Sequence, residues 1–344
     1  MSLIARFSIV LLLAVGLPPP GASSAGGATR DADGAPIERV VERAFATRDL
    51  SALGEILDVL DRDDRVGALR LRARLADRMG APGQALDLTG RAIELAPVDR
   101  RPGLLVEQAG YRARMVDGAG MLASLGIARA LHDDLEQAIA LEPENVDALD
   151  ALIAFHRRAP GIAGGDRARA RELQQRLAGL DRARALYRDA RSHARRGDPG
   201  AALAALRRAI DAGPDAPREW LLQAARWADR LERPDEAVEW LEQLLDELPD
   251  DPAVLYELGR IGARHGTRLA RAVEALERYL VLPKWPGDPG PEQAWMQLGL
   301  ALQRCGRPDA AAEAFSRALA LDPGLGQARK ALAELEPDGA DAAL

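Results

Sequence analysis

The strongest constraint on this chain is a spaced pattern of small and large apolar residues in 292–325, EQAWMQLGLALQRCGRPDAAAEAFSRALALDPGL. Trp295, Leu298, Gly299 and Leu302 recur at helical period and fall on one face. A turn signal follows at Gly306–Pro308, and Ala311, Phe315 and Ala318 mark the facing seam of a second helix. Gly299 and Ala311 have almost no side chain, so the spacing predicts a helical hairpin whose arms touch closely there. Pro323 ends the second arm, because its ring cannot continue a helix and disfavours helical geometry in the preceding residue. One such hairpin cannot bury its own apolar faces. It needs neighbours stacked on both sides.

Neighbours are present as degenerate copies. Residues 183–216 place Leu186, Ala190, His193, Ala202, Leu206, Ala209 and Pro214 in the same slots. Residues 218–251 and 252–285 do so again, the latter with Leu258, Gly259, Ala272, Leu276, Tyr279 and Pro283 and one extra turn residue. The step is 35 residues from Pro214 to Pro249 and 34 from Pro249 to Pro283. Residues 66–99 fit through Leu69, Ala73, Ala76, Ala85, Ala92 and Pro97. This order and spacing resemble the tetratricopeptide repeat, a helix–turn–helix unit of about 34 residues, and 292–325 fills all eight signature slots. The resemblance implies an all-α fold, a right-handed α-solenoid of antiparallel helix pairs, with roughly seven or eight hairpins.

The rest of the chain is organised around those copies. Residues 1–25 have the layout of a secretory signal peptide: Arg6, an apolar run from Phe7 to Leu17, then PPPGASSAGGA. The run is 11 residues long, whereas a membrane-spanning helix needs about 20. A mature chain in the periplasm or secreted, without a stable membrane span, is the expectation. Residues 26–35 read as a flexible leader, 36–180 as degenerate hairpins, 181–285 as regular repeats, 286–325 as a linker with the last repeat, and 326–344 as a capping helix and tail. Two irregularities stand out. Residues 100–143 carry about nine extra residues around VDGAGMLASLG, and APGIAGGDRA (159–168) is longer than the family turn. That loop lacks the Gly-Lys-Ser/Thr ending of a phosphate loop and reads as a connector.

No catalytic constellation is present, so the chain is expected not to be an enzyme and to need no cofactor. There is no nucleophile elbow and no dinucleotide fingerprint. The four histidines, His132, His156, His193 and His265, are far apart, and no two share a helix at metal-ligand spacing; no metal site is expected. Asp133–Asp134 beside His132 reads as solvated surface, and His193 and the single cysteine, Cys305, as packed residues. Formal net charge is −7 with basic and acidic residues interleaved, which argues against a nucleic-acid-binding face.

In the family resembled, first helices line the concave wall, and slots 5 and 9 lie together on one face because they are one helical turn apart. Three consecutive repeats put Tyr187/Arg191, Leu222/Arg226 and Tyr256/Arg260 there. The resemblance therefore implies a groove in which guanidinium groups beside apolar and aromatic anchors hold an acidic and apolar segment of another protein. Family members that clamp a C-terminal carboxylate use Lys and Asn at these slots; this chain has neither there. The expected role is a non-enzymatic scaffold or adaptor of the bacterial periplasm or cell envelope. The alternative is an accessory subunit that positions a catalytic partner in an envelope enzyme or secretion complex.

Overall fold

The computed structural model describes residues 37–116, 119–213 and 216–335. The signal-peptide and leader expectations, Pro214 and the tail beyond 335 lie outside the described residues. Among the described residues there are seventeen α-helices and no strand. They are α1 (Ile37–Thr47), α2 (Leu50–Asp63), α3 (Arg65–Arg78), α4 (Pro82–Leu95), α5 (Arg101–Met115), α6 (Met121–Leu141), α7 (Val146–Arg158), α8 (Arg167–Leu180) and α9 (Arg182–Arg195), followed by α10 (Pro199–Asp211), α11 (Arg218–Arg230), α12 (Pro234–Glu247), α13 (Pro252–His265), α14 (Leu269–Val281), α15 (Pro291–Arg304), α16 (Pro308–Leu321) and α17 (Gly326–Leu335). The architecture is that of an all-α solenoid built from helix pairs. No helix among the described residues is long and apolar enough to cross a membrane. The described residues divide into two compact units, 37–44 with 50–185, and 45–49 with 186–335.

In the first unit α3/α4, α5/α6 and α7/α8 pack as pairs, and α4/α5 and α6/α7 join successive pairs. Small residues allow the close approach: Ala73, Ala85, Ala92, Ala109 and Ala138 are fully buried. Large residues fill the remaining space, among them Leu135, Leu149, Leu152, Ile153, Leu173 and Leu177. Asp64, Asn145 and Asp166 cap α3, α7 and α8 by accepting backbone N–H groups of the first turn. The extra residues expected within 100–143 are absorbed largely as helix: α6 has 21 residues, against 15 in α5 and 13 in α7. Its first residues, Met121 and Leu122, are exposed.

The 159–168 connector is tightly specified. It contains a single 3-10 turn, Gly161–Ala163, then Gly164 at φ 94°. A Cβ on Gly165 would sit 1.8 Å from the Ala159 carbonyl oxygen. Only glycine fits there, because the obstacle is backbone and cannot rotate away.

In the second unit α11/α12, α13/α14 and α15/α16 pair, and α17 packs on α15 and α16 through buried Ala328 and Ala331. The small slot has the reason expected of it. A Cβ on Gly299 would meet the Phe315 ring at 2.5 Å, and one on Gly259 would meet Leu276 at 2.3 Å. Asp251, of the Asp250–Asp251 turn, caps α13. The PKWPGDPGP stretch is more than a spacer. Tyr279 donates its hydroxyl to the Pro289 carbonyl at 2.6 Å, and Trp285 donates its indole N–H to the Phe45 carbonyl at 3.1 Å. Arg48, in the same unit though 240 residues away in sequence, holds both carboxylate oxygens of Asp288 at 3.1 Å.

Candidate binding face

The six expected contact residues lie on α9, α11 and α13, the first helices of three consecutive repeats. On α9, Tyr187 stacks on Trp220 of α11, with centroids 4.6 Å apart and planes 16° apart. The Arg191 guanidinium lies over the Tyr187 ring at 5.9 Å. Tyr256 is half-buried and tilts against Tyr279 at 5.1 Å. Leu222 is 7% exposed and belongs to the core, so it offers no anchor to a partner.

Arg226 and Arg260 come together through acids that the slot reading did not include. Arg226 Nε donates to Glu257 Oε1 at 2.8 Å, and Arg260 Nε donates to Glu257 Oε2 at 2.8 Å. Arg260 also donates to Asp229 Oδ2 at 2.9 Å. Asp229 is buried and has two further partners, His265 Nε2 at 2.7 Å and Arg264 Nη1 at 3.5 Å. Burial opposes its ionisation, but the bonds from His265 and Arg260 outweigh that and hold the carboxyl below its ordinary range. Burial likewise opposes charge on Arg260, and Glu257 and Asp229 together more than offset it, so the guanidinium is held more firmly protonated. Around α11 and α13 the face is therefore a band of interlocked charges. Of the two slot-9 cations here, Arg226 is the more open, its side chain 46% exposed against 26% for Arg260.

A signal for Glu257 and Asp229 exists in the sequence. Arg226 and Asp229 are three apart on α11, Glu257 and Arg260 three apart on α13, and the signs are reversed. Aligned at a separation of 31 residues, each cation meets an acid. The same device recurs in the first unit: Arg70 with Glu107 and Arg114 with Asp77, both 37 apart, and Arg74 with Glu42, 32 apart.

Two readings away from this face are corrected. Asp134 is not solvated surface: it is 8% exposed and accepts from Gln108 Nε2 at 3.0 Å and Arg112 Nε at 2.6 Å. The distance of His132 from His156 in sequence is no guide to their positions. The α6/α7 packing brings their rings edge to face, with centroids 5.3 Å apart. His193 and Cys305 are half-buried, as packed residues should be; Arg196 donates to His193 Nδ1 at 3.0 Å.

One tetratricopeptide-repeat family model matches residues 292–325, and a second matches 162–217 and 222–289. No curated protein matches the chain. Among solved structures it is similar to a crystal structure of the APC/C hetero-tetramer Cut9–Hcn1, with TM-score 0.49 and 18% identity over 87% of this chain; it spans 56% of that chain's length. It is also similar to pilF of Pseudomonas aeruginosa, with TM-score 0.47 and 17% identity over 69% of this chain and 99% of that one. A third is YrrB, described as a repeat protein with an unusual peptide-binding site, with TM-score 0.35 and 15% identity over 71% of this chain and 96% of that one.

Proposed function

Starting from the premise that this chain is a tetratricopeptide-repeat protein, we propose that it is a non-enzymatic scaffold that holds a segment of another protein along α9, α11 and α13. The segment carries acidic and apolar side chains. One observation carries the reading: Tyr187, Arg191, Arg226, Tyr256 and Arg260 are partly exposed on successive first helices and already held by stacking or ion pairs. A pinned side chain loses little rotamer freedom when a partner arrives, so its contact weakens less through ordering. Guanidinium has five N–H donors, and Arg226 meets Glu257 through Nε. A partner carboxylate would meet its exposed side.

Exposed ion pairs contribute about 0–1 kcal/mol each, while a micromolar complex needs about 8 kcal/mol. Aromatic packing and backbone contacts must then supply most of the affinity. Leu222, being buried, is not one of the anchors.

The test is site-specific crosslinking from positions in 187–260, followed by mass spectrometry and measurement with the recovered partner. Replacing Arg191, Arg226 and Arg260 together by Ala is expected to weaken binding at least tenfold; unchanged binding overturns the assignment. A catalytic subunit recovered in constant ratio would turn the scaffold into an accessory subunit of that enzyme. The proposed location is the bacterial periplasm or envelope, on the signal-like layout of residues 1–25. Fractionation with N-terminal sequencing of the mature protein decides it, with a first residue near Gly26 expected and an intact Met1 in the cytosol opposing it.

A further inference from the structure

The first unit contains a group of side chains that no part of the scaffold reading uses. His132 and Glu136 sit one turn apart on α6, and His156 reaches the same point from α7. One ligand atom from each lies within 4.8 Å of the other two. His156 is 5% exposed. Its Nδ1 is 3.1 Å from the Gly164 carbonyl oxygen. A carbonyl only accepts, so Nδ1 carries the ring proton and Nε2 presents a bare lone pair. That Nε2 is buried and has no hydrogen-bond partner among the described residues.

An unpartnered buried acceptor is costly and calls for an explanation. An ordinary helix-surface pair of His132 and Glu136 would explain those two residues but not His156. Their closest approach, 3.7 Å from His132 Nε2 to Glu136 Oε1, is also too long for a hydrogen bond. An imidazole whose other ring nitrogen donates to a backbone carbonyl is the arrangement that orients a metal ligand. The 159–168 connector supplies that carbonyl, along a path that admits no side chain at Gly165.

We propose that His132, Glu136 and His156 bind one divalent transition-metal ion of the zinc class, which ties α6 to α7. Two imidazoles and one carboxylate suit Zn²⁺ and disfavour Mg²⁺ or Ca²⁺, which prefer all-oxygen shells. Ligand atoms around a tetrahedral Zn²⁺ lie about 3.3 Å apart, so side-chain adjustments of about an ångström close the site. His132 and Glu136 are partly exposed, which leaves an entry path and room for water as fourth ligand. The ion would fix the long helix α6 against the following hairpin.

The full chain, stripped with a chelator, is titrated with Zn²⁺ by calorimetry and with Co²⁺ by visible absorption. The expected result is one ion per chain at micromolar concentration, the strong absorption of four-coordinate Co²⁺, and no response to Mg²⁺. His132→Ala and Glu136→Gln, both at partly exposed positions, should each weaken Zn²⁺ binding at least tenfold while the chain stays folded by circular dichroism. His156→Phe should abolish binding; should that variant not fold, the other two carry the test. His193→Ala and His265→Ala should bind as the unaltered chain does. Absence of saturable 1:1 binding, or binding indifferent to His132 and Glu136, overturns the site.

Discussion

At the scale of single residues, Asp229 shows how a carboxylate can be both buried and ionised. Its neighbours are His265, Arg260 and Arg264 on α13. They hold its folded pKa below the ordinary value. A carboxyl whose pKa is depressed on folding contributes stability above its unfolded pKa, about 3.9, and loses it as pH falls through the lower folded value. The urea midpoint of the unaltered chain should therefore decline below about pH 4. In Asp229→Asn it should start lower and decline less over the same interval. Equal acid-side slopes in the two chains would show that Asp229 is not a carrier of this dependence. Nothing in a single repeat identifies Asp229 as buried. It sits among alternating charges, and only the register of α11 against α13 tells which of them face each other.

At the scale of helices, the hairpin contact was the most legible feature. Gly299, Ala311 and Phe315 define a place where one arm must have no side chain so that an aromatic ring can lie across it, and the structure puts Phe315 at that place, fully buried. Gly299→Ala would push a methyl group to within 2.5 Å of the ring. Overpacking of this kind costs about 1–3 kcal/mol, partly relieved by the higher helix propensity of Ala, about 1 kcal/mol. A net destabilisation of up to about 2 kcal/mol by urea unfolding is expected. A double change with Phe315→Leu should recover part of it, since the ring is what the methyl meets. The irregular elements were legible only as departures. Extra residues between α5 and α6 can form a loop or extend a helix, and periodicity does not choose when the added residues are themselves helix formers such as Met, Leu and Ala. The joining of His132 to His156 depends on that choice, because it is set by how α6 lies on α7. For the same reason the PKWPGDPGP stretch read as a linker: nothing local to Trp285 points to Phe45, 240 residues away.

At the scale of the whole molecule, the arginine-rich composition has a structural use within each unit. Arg70–Glu107 and Arg114–Asp77 in the first unit, and Arg226–Glu257, Arg260–Asp229 and Arg264–Glu232 in the second, join residues 31 to 37 apart, close to one repeat. Each ties one hairpin to the next, as nearest-neighbour coupling in a stack requires. Coupling of this kind leaves the α15/α16 pair, the final hairpin among the described residues, with a neighbouring pair on one side only unless something covers the other. Here α17 does so. Ala328 and Ala331 are buried against α15 and α16, while Gln327, Arg329, Lys330 and Glu334 are exposed. Leu319, Leu332 and Leu335 pack partly against the same core. A chain ending at Leu325 should expose that apolar surface and remain folded elsewhere, because a linear stack loses stability locally. Hydrogen exchange should then show lost protection in α15 and α16 with α11 and α12 little changed, and the first part of urea unfolding should shift to lower concentration. Uniform loss of protection through both units would mean that the repeats unfold as one body, and a stack stabilised pair by pair would no longer describe them.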